Sequence, residues 1–134
     1  MGMDLWGRGG DFWWKFFDWP KLLYVAIHYG WEPAGTIAPI DRHSDDPIPD
    51  WNGGYFSNDF QTVTADDAWQ LADALERALA DIPDDADTSM EFECPADPAD
   101  VPDGADLLWF RSPRQRTPIR EFVQYCRKGD FEIQ

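Results

Sequence analysis

At 134 residues the chain has the length of one domain, and an aromatic share of 16%, with 8 Trp and 9 Phe, gives it ample volume for a core. That apolar content argues against disorder of the whole chain despite a net charge of −15. The 26 acids against 11 Lys and Arg argue against direct binding to a nucleic-acid backbone or an anionic membrane surface, both of which need clustered basic side chains.

No early stretch joins a basic start to a long apolar run, and nothing approaches about 18 uninterrupted apolar residues. Neither a signal peptide nor a membrane span is expected, and the cytoplasm is the default compartment. Cys94 and Cys126 are too few for a disulfide framework.

In chain order, residues 1–10 carry Gly2, Gly7, Gly9 and Gly10 and read as flexible or turn-rich. Phe12-Trp13-Trp14-Lys15-Phe16-Phe17 follows, and its composition predicts a strand over 12–17. Only Lys15 is polar, so both faces of this strand are expected to be covered; an exposed ligand-stacking surface is the alternative. Asp18 as N-cap and Pro20 in the first turn open a helix over about 19–29, with Leu22, Leu23, Ala26 and Ile27 as its buried stripe. Gly30 is a natural stop. His28 suits a surface or capping position near that end, and Trp31 to Thr36 reads as a turn around Pro33 and Gly35.

Residues 37–50 are loop-like. His43 lies near Asp41, Asp45 and Asp46, but one His and three carboxylates on a loop have no fixed ligand geometry. Solvated charge explains them, and neither a metal nor a cofactor is expected.

The stretch from Trp51 to Pro83 organises the rest. Trp51–Val63 is expected to form a hairpin or irregular two-strand unit, with a strand over 54–63 and turn chemistry at Asn58-Asp59. Thr64 is an N-cap candidate, and Asp66 and Asp67 put negative charge where the helix dipole favours it. Ala68, Leu71, Ala72, Leu75, Leu79 and Ile82 recur at helical spacing over about 65–82, until Pro83 blocks continuation. Asp66, Asp73, Glu76 and Arg77 look like solvated surface.

Residues 81–106 are rich in acids and proline and hold no Lys or Arg. Met90–Cys94 alternates like a short strand. A calcium loop from Asp85 fails, because Met90 stands where glycine is needed and Ala96 where the bidentate glutamate belongs. Asp97, Asp100, Asp103 and Asp106 recur every three residues. In a polyproline-like conformation they would form a one-sided carboxylate row able to engage a basic partner. A solvated connector is the plainer account.

Leu107-Leu108-Trp109-Phe110 suits an inner strand over 107–111. Arg111, Arg114, Arg116 and Arg120 concentrate basic charge behind it, which points to internal compensation of the acidic segment. Thr117-Pro118 is expected to start a helix over about 117–128, with Ile119, Phe122, Val123 and Cys126 on its apolar face. Gly129 ends it, and Phe131-Glu132-Ile133 suits a terminal strand over 130–133.

The runs Tyr29-Gly30-Trp31-Glu32-Pro33-Ala34-Gly35-Thr36, Tyr55-Phe56-Ser57-Asn58-Asp59, Asp67-Ala68 and Phe122-Val123-Gln124-Tyr125-Cys126-Arg127 resemble those of a family of small bacterial proteins with no established activity. The resemblance covers most of the chain outside 84–106. It implies a bacterial, soluble, single-domain protein and transfers no catalytic residue. A glycine is the residue expected after Asn58-Asp59, where Phe60 stands.

No convincing catalytic set stands out, and among 26 acids carboxylate pairs are too common to signal acid–base chemistry. The N-terminal glycines lack a preceding strand and a downstream Gly-Lys pair, so they make no phosphate loop. Cys94 lies among carboxylates, which raise a thiol pKa and oppose its activation. One constellation stands out: Trp51, Tyr55, Asn58 and Asp59, with Gln61, put aromatic and polar groups around a turn beside a helix N-terminus. Such a place can bind a small polar ligand or a partner loop, or the polar groups can simply fix the turn.

The expected architecture is therefore a single α+β domain over 1–134, three helices on a small, mostly antiparallel sheet, with an acidic Pro-rich insert at about 84–106. The expected function is a non-catalytic acidic module that binds and masks a basic protein, as immunity and inhibitor proteins do. A nucleic-acid mimic or anti-defence factor is the second reading, and a small-ligand binder or enzyme at the Asn58-Asp59 turn the third.

Overall fold

Glycine-rich as it is, the N-terminal stretch is a strand. Met3 and Leu5 point one way and are buried, while Asp4 and Trp6 point the other way and are exposed, the period-2 signature of a sheet with one covered face. The computed structural model describes residues 2–41, 43–82, 110 and 112–134.

Among these residues the chain forms β1 (Gly2–Gly7), β2 (Gly10–Lys15), α1 (Asp18–His28), β3 (Gln61–Val63), α2 (Ala65–Asp81), α3 (Pro113–Arg127) and β4 (Phe131–Ile133). The strands lie in the order β2-β1-β4-β3 and every pairing is antiparallel. The fold is α+β, as the sequence predicts. Ile37 adds a single bridge to the outer side of β3, its N–H donating to Thr62 O at 2.8 Å.

The helices cover one face of the sheet. Met3, Leu5, Trp14, Val63, Phe131 and Ile133 from the strands share one core with Leu22, Leu71, Leu75 and Phe122 from the helices. Phe122 sits at its centre, edge-on to Trp14, Trp19 and Phe131 at centroid distances of 5.6, 5.8 and 6.0 Å. Cys126 is fully buried in the same core, and loss of solvation pushes its thiol pKa well up. It acts as a small hydrophobe.

The helix ends follow local chemistry. Thr64 caps α2, its hydroxyl accepting from Asp67 N at 3.2 Å. Gly30, at φ +99°, closes α1: Gly30 N donates to Ile27 O and Trp31 N to Ala26 O, the paired bonds of a Schellman stop. Gly129, at φ +132°, follows α3, its N–H donating to Cys126 O at 3.4 Å.

Several expectations need correction. Residues 2–7 are not a flexible lead but a strand paired on both sides, by β2 and β4. The aromatic strand is Gly10–Lys15 rather than 12–17, and only one of its faces is covered: Trp14 is buried while Trp13 is half-exposed. Phe16 and Phe17 lie beyond the strand and are exposed. Asp18 is not the N-cap of α1. Phe17 holds that position without a side-chain bond, and Asp18 contributes first-turn charge instead.

The segment 54–63 is strand only over Gln61–Val63, so Trp51–Val63 makes no hairpin. Its loop is tied down by side chains rather than by strand pairing. Of the strand expected over 107–111, Phe110 is described, and it is helical and buried. α3 starts at Pro113 rather than at Thr117, with Pro118 inside it. Pro113 fills a first-turn position equally well. The extra turn brings Arg116 into the core, where its guanidinium donates to Leu79 O at 2.9 Å and lies 5.4 Å over the Phe110 ring. The strand at Met90–Cys94 and the acidic insert lie outside the described residues.

Candidate functional site

A buried carboxylate holds the start of α2. Asp67 is 1% exposed and packs where α2 meets the loops 31–36 and 51–60. Its Oδ1 accepts from Trp31 Nε1 at 3.0 Å and its Oδ2 from the Tyr55 hydroxyl at 2.5 Å. That hydroxyl in turn accepts from Gly35 N at 2.9 Å. Burial first, and then the adjacent Asp67 carboxylate, push the Tyr55 pKa above its ordinary 10.0. The carboxylate thus exchanges water for donors from two loops, which a buried charge requires.

The loops are stitched together by the same means. Trp51 Nε1 donates to Thr36 Oγ1 at 3.0 Å, and that hydroxyl donates to Gly54 O at 2.8 Å. Gly35 and Gly53 both have positive φ, and their backbones meet where a Cβ on Gly53 would stand 3.3 Å from Gly35 Cα. Gln61 is fully buried; its amide donates to Ser57 O at 2.6 Å and accepts from Asp59 N at 2.9 Å.

Trp51, Tyr55, Asn58 and Asp59 therefore fall within one looped segment but do not face one another. Tyr55 is buried against Asp67, and Trp51 is directed at Thr36. Asn58 reaches away to bond Gly2 O at 3.1 Å, and Asp59 lies exposed. Asp97, Asp100, Asp103 and Asp106 lie outside the described residues.

Two further arrangements combine tryptophan with carboxylates. In the first, Arg127 of α3 lies over the Trp69 ring of α2 at 4.5 Å and pairs with Asp73 at 2.8 Å and Glu76 at 3.0 Å. Partial burial would lower the guanidinium pKa, but Asp73 and Glu76 outweigh it and raise the value. The acids expected to be plain surface thus clamp α3 to α2. Arg77 joins α2 to α1 in the same way, donating to Tyr29 O at 3.0 Å.

The second lies on the outer face of the sheet. The register puts Trp13 across from Asp4, and Trp6 across from Asp11 on one side and Glu132 on the other. Cross-strand partners share a face, so each indole has a carboxylate beside it. Trp6 and Trp13 are 54% and 52% exposed. Trp6 lines two open clefts, one with Asp4, Asp11 and Trp13, the other with Arg8, Thr62, Asp130 and Glu132. Trp13 leans across β1, where a Cβ on Gly2 would stand only 1.9 Å from its Nε1. Sequence reasoning missed Trp6 and Asp4 by giving the glycines of 1–10 more weight than the alternation Met3-Asp4-Leu5-Trp6, which carries the strand signal.

No protein-family model, curated protein or solved structure matches this chain. Among the described residues, no helix is long and apolar enough to cross a membrane.

Proposed function

We propose that the chain is a non-catalytic binding module that masks a basic protein. The observation that carries this reading is its charge, −15 over 134 residues. Of the described acids, only Asp73, Glu76 and Asp130 have ion-pair partners among the described residues. A field of that size speeds encounter with cationic surfaces and repels anionic ones, including nucleic acids and acidic lipid headgroups.

The test is capture with the tagged full-length chain from its native host at low salt, followed by reconstitution with the purified protein recovered. A basic protein that binds stoichiometrically, and is released as salt screens the attraction, supports the reading. Recovery of no basic protein at low salt retires it.

A further inference from the structure

We infer that the outer face of the sheet is the docking surface, and that its occupant is an arginine-bearing face of a basic protein. This rests on the reading above and adds where the partner sits and which side chains it presents.

The chain binds one of its own guanidinium groups with a tryptophan ring and two carboxylates: Arg127 over Trp69, beside Asp73 and Glu76. The outer sheet face repeats those ingredients. Trp6 stands between Asp11 and Glu132, and Trp13 stands opposite Asp4. Arg8 borders the cleft beside Trp6 and Glu132, but its side chain pairs with Asp130. No cation among the described residues stacks on Trp6 or Trp13, and Asp4, Asp11 and Glu132 have no ion-pair partner among them.

The face also suits a planar cation better than a point charge. Trp13 lies along β1 over the bare backbone of Gly2, which leaves the indole half-exposed. A guanidinium can stack on such a ring while its N–H groups reach a carboxylate alongside, which an ammonium does less well. A second copy of the chain is a poor occupant, because Asp4, Asp11 and Glu132 would meet their own like charges. Nucleic acid and anionic lipid are repelled by the same carboxylates.

The test titrates octa-arginine and octa-lysine into the native full-length chain, into W6A/W13A and into D4N/D11N/E132Q. Circular dichroism and thermal melts check that each variant is folded. The native chain should bind octa-arginine several-fold tighter than octa-lysine. Each set of substitutions should weaken octa-arginine by roughly tenfold, as expected for losing two exposed cation–π contacts or their flanking charges. Unchanged octa-arginine binding in folded W6A/W13A, or equal affinity for the two peptides, overturns the assignment. So does concentration-dependent self-association of the native chain that disappears in W6A/W13A, which would make a second copy the occupant. If W6A/W13A still captures the same basic protein from the host as the native chain, the docking surface is elsewhere while the acidic-module reading stands.

Discussion

The two faces of the sheet differ more than their residue types suggest. Each carries aromatic side chains, and β2 contributes adjacent tryptophans to the two of them. On the inner face Trp14 meets Phe122 edge-on and is nearly sealed from water; on the outer face Trp13 lies half-exposed beside a carboxylate. Aromatic content therefore says how much apolar surface a strand carries, while the residues around it decide whether that surface becomes core or stays open to water. Inner neighbours such as Leu5 and Ile133 exclude water, whereas outer neighbours such as Asp4 and Glu132 retain it.

The sealed inner face depends most on Phe122, which joins the helix layer to the sheet. Phe122→Ala should cost roughly 3–5 kcal/mol in urea unfolding, through lost burial and the cavity left among Trp14, Trp19 and Phe131. A loss under about 1 kcal/mol would mean that the core is not centred there.

Asp67 comes next. Asp67→Ala leaves the Trp31 N–H and the Tyr55 hydroxyl facing each other without their shared acceptor, and should cost about 2–4 kcal/mol. The same region sets a pH limit. Burial raises the pKa of Tyr55, and likewise of Tyr29 and Tyr125, above the ordinary 10.0 in the folded chain. Below pH 10 both folded and unfolded forms keep these phenols protonated. Above it the unfolded chain releases protons that the folded one retains, so stability falls as pH rises. Thermal melts across the alkaline range should show a decline beginning near pH 10 that is shallower in Tyr55→Phe; a flat profile would contradict the burial of these phenols.

Periodicity made the helix layer legible. The spacing of Ala68, Leu71 and Leu75, the Thr64 cap and the glycines after α1 and α3 each act within a turn or two, so local sequence records them. The polar site was only half legible. Trp51, Tyr55, Asn58 and Asp59 mark the right loop, but their partners Thr36, Asp67 and Gly2 come from distant segments that no local pattern links. The roles of Asp73 and Glu76 were hidden for the same reason: on α2 alone they are surface acids, and only the crossing of α3 supplies Arg127.

That crossing gives a smaller effect. Arg127→Ala removes one stack and two partly exposed ion pairs and should cost about 1 kcal/mol, mostly in salt-sensitive form. Arg127→Lys should recover only part of it, because an ammonium cannot lie flat on Trp69 while spanning both carboxylates. Full recovery by lysine would show that charge alone matters there, and would remove the internal precedent for arginine on the outer face.

The smallest effect falls on the outer face. Gly2 lies under the Trp13 ring, and an added Cβ would overlap Nε1, Cε2 and Cζ2 of that indole. What stands in the way is the outer part of an exposed side chain rather than backbone, so the ring can swing off the strand. Gly2→Ala should therefore change stability by no more than about 0.5 kcal/mol while moving the Trp13 indole N–H resonance, which loss of a peak in Trp13→Phe identifies. The equivalent crowding at Gly7 meets Asp130 O at 2.3 Å and the Phe131 backbone at 2.7 Å, which cannot step aside. If Gly2→Ala proved as damaging as Gly7→Ala, Trp13 would be a packed structural element, and the contrast between the sealed and the open face would fail at its most exposed point.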